Sequence, residues 1–210
     1  TGTAMLPWDV PEVELKKIIH YIKTFSPRWQ NEKPGTPVEA SADPFQGQTQ
    51  AAVEHGKKIY HATAQCARCH PSYISKPELA SLTKEVLGYD LTEISDEIYR
   101  PSLKDSQFGV KSLPIDFLYH PIKTVRASDT GETARAKLYQ TIAAGIGGTA
   151  MPMWKGVLAE KDLWGLVYYV WQLNAWRDTP KASQLRLALA SQPPFVPPTP
   201  EAPPSGEKPH

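Results

Sequence analysis

Apolar residues in this chain recur at helical spacing in separated stretches. In 160–173, EKDLWGLVYYVWQL, residues Leu163, Leu166, Val167, Val170 and Leu173 share one face, and the surrounding tryptophans and tyrosines extend it. That pattern predicts a buried helix. The run Leu163–Leu173 is too short to span a bilayer. In 132–146, ETARAKLYQTIAAGI, residues Ala134, Leu138 and Ile142 stand four apart on one face, which predicts a second helix. Segment 12–25 repeats the spacing with Leu15, Ile18, Ile19, Ile22 and Phe25. Shorter helices are expected over 76–89, KPELASLTKEVLGY, and 178–191, DTPKASQLRLALAS. The fold class expected is all-α, with three or more helices and little or no sheet.

The bulk numbers narrow this picture only slightly. A chain of 210 residues can hold one or two domains. Its net charge of +1 argues against a polyanion-binding protein. Many of its 21 prolines fall in 31–44 and 192–209. Segment 30–46, QNEKPGTPVEASADPFQ, is therefore expected to be an interdomain linker, and the tail 192–210 to be extended or disordered. The opening TGTAMLPWDV has neither the basic region nor the apolar region of a signal peptide.

The two cysteines stand together in CARCH, residues 66–70. A Cys-x-x-Cys pair serves as a redox dithiol, as half of a zinc site, or as a point of haem attachment. A dithiol has no use for His70. A zinc site needs two further ligands, yet no third cysteine exists, and His20, His55, His61, His120 and His210 are scattered. Thioether attachment uses all three residues: Cys66 and Cys69 lie one helical turn apart, and His70 then presents an imidazole to the iron. A thioether sulfur is the usual opposite ligand in electron-carrying haem proteins. The three methionines, Met5, Met151 and Met153, all lie in two similar loops, GTAMLPW (2–8) and GTAMPMW (148–154). Met151 is favoured over Met153 because Met5 occupies the matching place. His120, His55 and His61 are weighed as alternative ligands and set below it.

Together these residues resemble a class I cytochrome c domain. The resemblance rests on three elements: HGKKIY (55–60) before CARCH, the loop AGIGGTAMPMW (144–154), and the helix 160–173. It implies that Gly56 and Tyr60 cross against the last helix, with Leu166 and Tyr169 as partners. It also makes Trp154 and Tyr139 candidate haem-packing aromatics. Two departures stand out. Pro71 follows His70 where a glycine is common, and the separation of His70 from Met151 requires an insertion at about 76–133. Within it, DFLYHPIKT (116–124) is expected to run as a loop beside the haem.

An internal repeat sets the domain organisation. Gly2, Thr3, Ala4, Met5 and Trp8 coincide with Gly148, Thr149, Ala150, Met151 and Trp154. After a two-residue gap, Leu15, Ile18, Ile19, Tyr21, Ile22 and Phe25 fall on Leu163, Leu166, Val167, Tyr169, Val170 and Leu173. Residues 1–29 are thus expected to be the carboxy-terminal remnant of a preceding cytochrome c domain, with Met5 the distal ligand of a haem that this fragment cannot attach. A linker over 30–46, a cytochrome c domain over 47–178, and a short helix with a proline-rich tail over 179–210 follow.

The function these features imply is electron transfer through one covalently attached haem c with His70/Met151 ligation, without a substrate of its own. The chain would be a module of a multihaem cytochrome or respiratory redox complex. Its partners would be other haem or copper redox proteins, a membrane respiratory complex, and the preceding cytochrome domain of the full-length chain. Nucleic acid is not among them. The resemblance implies a location in the periplasm, or on the extracytoplasmic face of a bacterial membrane. The rival is a haem enzyme, peroxidase-like or oxyanion-reducing, with an open or displaceable distal site built by the insertion.

Overall fold

A computed structural model describes residues 8–33, 35–126 and 128–198. The chain divides into two compact units, Thr1–Glu39 and Ala40–His210. In the first, helix α1 spans Glu12–Lys23 and the short α2 spans Arg28–Asn31. Glu12 and Glu14 in the first turn of α1, and His20 and Lys23 in the last, complement the helix dipole. Every residue of α1 is exposed, including the apolar face Leu15, Ile18, Ile19 and Ile22.

Among its described residues the second unit holds five α-helices: α3 (Thr49–Lys58), α4 (Lys76–Leu87), α5 (Gly131–Ala144), α6 (Glu160–Ala175) and α7 (Pro180–Ala190). A single wider π turn, Ile59–Thr63, extends α3. The only strands among the described residues are the two-residue β1 (Lys104–Asp105) and β2 (Lys111–Ser112), paired antiparallel. The all-α expectation is met. Local signals place the ends of α4: the Ser75 hydroxyl accepts from the Glu78 amide at 3.3 Å, Pro77 sits in the first turn, and Gly88 ends it at φ 79°.

The centre of the unit is the crossing of α3 with α6. Gly56 and Gly165 meet there so closely that a Cβ on Gly56 would lie 1.9 Å from the Gly165 carbonyl oxygen. One turn further on, Tyr60 and Tyr169 pack edge to face with centroids 5.3 Å apart. Tyr169 therefore stands where the resemblance placed it, whereas Gly165, not Leu166, is the backbone that Gly56 meets. Leu163, Leu166, Val167, Val170 and Leu173 are all buried on the same helix. His55 on α3 and Asp162 on α6 add a hydrogen bond of 2.7 Å.

Two proline-rich stretches make specific contacts with the folded unit. The end of the 30–46 segment packs on the folded unit: Phe45 is buried, the Trp164 ring N–H donates to the Ser41 hydroxyl at 3.1 Å, and the Tyr168 hydroxyl donates to Asp43. At the other end, the Lys76 amide donates to the Gln192 side chain at 2.6 Å, and the Lys76 ammonium to the Pro193 carbonyl at 3.0 Å. Phe195 packs on the cluster of Ile74, Leu79, Leu82 and Ile94. Proline removes backbone donors but leaves carbonyls and neighbouring side chains free to dock.

Candidate functional site

The CARCH segment leaves the π turn through Gln65, whose backbone is left-handed at φ 49°. A tight turn over Cys66–Arg68 follows, closed by the Cys69 and His70 amides, which donate to the Cys66 carbonyl at 3.0 and 2.9 Å. One turn of chain thus gathers both thiols and the imidazole. Neither cysteine is in a disulfide. Burial pushes the Cys66 thiol up to about 12, so it is protonated at neutral pH. A redox dithiol needs the opposite, a depressed pKa that yields thiolate. Among the described residues no group of three or more His, Cys, Asp or Glu side chains is placed to hold a metal ion, so the zinc reading finds no partners.

His70 is fixed from two sides by the stretch 115–117. Its Nδ1 lies 2.9 Å from the Ile115 carbonyl oxygen. A carbonyl only accepts, so Nδ1 carries the proton and Nε2 keeps its lone pair. The ring stacks on Phe117, with centroids 4.8 Å apart and planes 24° from parallel. Burial holds the His70 pKa below its ordinary value, against the raising effect of the Ile115 hydrogen bond, which keeps the imidazole neutral. The turn that carries Ile115 and Phe117 is itself tied down. Tyr73 donates its hydroxyl to Asp116 at 3.0 Å and accepts the Phe117 amide at 2.9 Å. Asn174 on α6 donates to the Phe117 and His120 carbonyls at 2.9 and 2.8 Å.

The methionine loop is equally constrained. Gly145 ends α5 at φ +69°, and a Cβ there would lie 2.6 Å from the Pro152 backbone. The Ile146 amide donates to the Met151 carbonyl at 3.2 Å, and the Met151 amide to the Thr149 hydroxyl at 3.1 Å. The Trp154 and Lys155 amides both reach back to the Ala143 carbonyl, at 3.1 and 3.0 Å. Met151 is half-buried in this closed loop, whereas Met153 is exposed. Gln107 and Phe108 touch this loop too. The Gln107 amide donates to the Gly148 carbonyl at 3.0 Å, and the Phe108 ring fills the space where a Gly148 side chain would stand. One stretch, 107–117, therefore contacts the methionine loop at one end and His70 at the other.

The remaining candidates are placed as follows. Trp154 is half-buried at the close of the loop. Tyr139 is fully buried, packs on Trp164 at 5.1 Å and donates to Glu160, which makes it part of the α5–α6 core. His120 is exposed, with Nδ1 on the Asp116 carbonyl at 3.3 Å. His61 is buried against the Tyr169 hydroxyl at 3.0 Å, and His55 is engaged by Asp162. Met5 and His210 lie outside the described residues. Ile115 and Phe117 are the contributors that sequence reasoning missed. Ile115 acts through its backbone carbonyl, which has no residue signature. Phe117 lies in a segment recognisable only as a loop near the site.

Two unpaired thiols, a neutral imidazole with Nε2 left over, and a rigid thioether loop fit a c-type haem. Comparison with known proteins points the same way. Residues 51–170 match the family model described as cytochrome c oxidase, cbb3-type, subunit III. No curated protein matches the sequence. Among solved structures, a chain of the reducing HAO-like protein complex of Kuenenia stuttgartiensis aligns at 22% identity and a TM-score of 0.49. That alignment covers 82% of this chain and 66% of the other, just under two thirds of its length.

Proposed function

The chain belongs to the cytochrome c oxidase, cbb3-type, subunit III family, which has a c-type cytochrome domain, and from that premise we propose that it is an electron carrier with one haem c ligated by His70 and Met151. Haem-based electron transfer is what such a domain implies; the ligand set and the single attachment are our own reading. The observation that carries it is the Nδ1–H of His70 committed to the Ile115 carbonyl, which leaves Nε2 for iron.

A haem held here supplies an iron that takes up and releases one electron. Cys66 and Cys69, one turn apart, are spaced to hold the group through two thioether bonds. The hydrogen bond from His70 to Ile115 fixes the imidazole orientation and makes Nε2 more basic, the usual effect of such an outer partner. Phe117 restricts rotation of the ring. The backbone hydrogen bonds around Met151 hold its loop in one shape, so neither ligand-bearing segment needs to rearrange when charge changes. Partners of this carrier are other haem or copper redox proteins or a membrane respiratory complex, met on the extracytoplasmic side. Among the described residues no helix is long and apolar enough to cross a membrane.

The amino-terminal unit takes its meaning from the repeat. Its α1 carries the apolar pattern of α6, yet the counterparts of the buried Leu163, Leu166 and Val167 are the exposed Leu15, Ile18 and Ile19. We assign that face to a haem-attachment half of a preceding domain, with Met5 as its distal ligand.

The test is the visible spectrum of the matured protein, ferric and ferrous, with and without carbon monoxide. A sulfur-to-iron charge-transfer band and a ferrous form indifferent to carbon monoxide are expected. Met151→Ala abolishes both properties and Met153→Ala preserves them. Ready binding of carbon monoxide to the unsubstituted protein would overturn the carrier reading in favour of an open distal site.

A further inference from the structure

The contacts that hold His70 in place do not stop at Ile115. The next residue, Asp116, is buried, and its carboxylate pairs with Arg186 of α7. The side chains of the pair are 6% and 15% exposed, so water screens them little. Asp116 also accepts from the Tyr73 hydroxyl at 3.0 Å and from the Leu118 amide at 3.1 Å. Arg186 also donates an Nη1–H to the Tyr99 carbonyl at 3.0 Å. Its guanidinium lies 5.3 Å from the Tyr73 ring centre and 5.7 Å from that of Tyr119.

This arrangement costs desolvation of two charges and, as a source of net stability, is weak. What it supplies is direction: a planar fork held by a carboxylate, a carbonyl and two aromatic faces has one orientation. The carboxylate it orients belongs to the residue after the one whose carbonyl accepts the His70 hydrogen bond, and to the residue before the one that stacks on the ring. Arg186 lies outside the family match over 51–170, whereas Asp116 lies within it.

We propose that Arg186 and Asp116 are a positioning pair that sets the His70–Ile115 hydrogen bond and, through it, the reduction potential of the bound haem. This rests on the reading of His70 as the iron ligand. With the pair in place, the Ile115 carbonyl stays on Nδ1–H, the imidazole donates more strongly, and the ferric state is favoured. Without it, the 115–117 backbone relaxes, the hydrogen bond weakens and the ferrous state gains. Removing only Arg186 would leave an unpaired buried carboxylate with the opposite effect, so the informative variant removes both charges.

The experiment compares the matured protein with Arg186→Met/Asp116→Asn and with Arg186→Lys. Two quantities are read: hydrogen exchange of the His70 Nδ1–H by NMR in the ferrous state, and the midpoint potential by redox titration. The double variant is expected to exchange at least about tenfold faster and to shift the electron equilibrium about tenfold towards ferrous, about 59 mV for a one-electron couple. Arg186→Lys keeps the charge but loses the fork, and is expected to show a smaller change in the same direction. It also serves as the test should the double variant not fold. If exchange stays within about twofold of the unsubstituted protein and the potential does not move, the pair is a structural clamp and the proposal fails. An unsubstituted protein whose spectrum shows no histidine-ligated iron would instead sink the ligand reading itself.

Discussion

Replacing Gly56 by Ala tests the packing on which the whole unit depends. The added Cβ would lie 1.9 Å from the Gly165 carbonyl oxygen, 2.4 Å from its carbon and 2.9 Å from the Tyr169 Cβ. Ordinary contacts at such a carbon begin at 3.4 Å. The obstruction is helix backbone, which cannot swing aside, so α3 and α6 must part by an ångström or more. A gap of 0.5–1 Å already forfeits roughly a quarter to a half of each dispersion contact. The edge-to-face pair of Tyr60 with Tyr169 and the 2.7 Å bond of His55 with Asp162 sit on the same interface and weaken with it. Overpacking of this kind costs about 1–3 kcal/mol, and loss of an aromatic pair about 1 kcal/mol more. The better helix propensity of alanine returns about 1 kcal/mol. A net loss of about 1–3 kcal/mol is expected, which lowers the melting temperature by roughly 2–12 °C for a chain of this size. Guanidinium unfolding followed by tryptophan fluorescence measures it. Gly165→Ala meets the His55 ring at 2.8 Å and the Gly56 backbone at 3.1 and 3.2 Å, a milder clash than that of Gly56→Ala, and should cost about 1 kcal/mol. Gly35→Ala has open space around it and should stay within about 0.5 kcal/mol. If Gly56→Ala is as stable as Gly35→Ala, the close crossing is not what holds α3 on α6.

Two further outcomes follow from the same interior. His61 is buried beside this crossing, and burial, aided by the nearby Lys57 charge, lowers its pKa to about 3. A histidine depressed in the folded state is protonated only on unfolding between its ordinary 6.5 and about 3, so stability is full above that window and falls by about 1.4 kcal/mol per pH unit within it; His61→Gln should flatten the acid limb of a stability–pH curve, and an unchanged slope would refute the assignment. If α1 closes a second haem domain, the sequence that precedes it in the full reading frame carries another Cys-x-x-Cys-His behind a helix with a glycine four residues before an aromatic. A preceding sequence without that motif ends the tandem reading.

How far the sequence foretold the molecule depended on where the information lies. Helices α5 and α6 were legible because their burial repeats within a few residues, as Ala134, Leu138 and Ile142 do on one face. The end of α4 was written locally in Ser75, Pro77 and Gly88. The approach of Gly56 to Gly165 was only half legible. The resemblance supplied the first glycine, while the second sits inside a helix where glycine costs stability and is repaid only by a partner far along the chain. Contacts made by backbone groups left no trace, which is why the Ile115 carbonyl and the seat of Gln107 on Gly148 came only from the structure. Composition misled where it was averaged: Ser41, Asp43 and Phe45 lie in a proline-rich stretch, yet each has a specific partner or a buried place. Tyr139 shows the converse, an aromatic near the methionine loop in sequence whose ring packs on Trp164 in the α5–α6 core.

The two copies of the repeated helix show what a shared pattern does and does not determine. On α6 the stripe from Leu163 to Leu173 is buried, and on α1 the matching stripe from Leu15 to Phe25 lies open. Periodicity thus specifies a face that demands cover, and the covering element comes from elsewhere. Within the repeat, the place of Gly165 is taken by Lys17, which is exposed and paired with Glu14 at 2.8 Å. A lysine cannot sit beneath a crossing backbone as that glycine does, although its aliphatic stem can lie alongside one. Interaxial distances follow the side chains at the contact, from about 8 to 10 Å. If a preceding domain covers α1 as proposed, its helix must cross α1 at a wider distance than α3 crosses α6, with Tyr21 in the place of Tyr169 as the aromatic that meets it. Two domains built on one pattern would then differ at the point where their terminal helices cross, and with that crossing, in how tightly each encloses its haem.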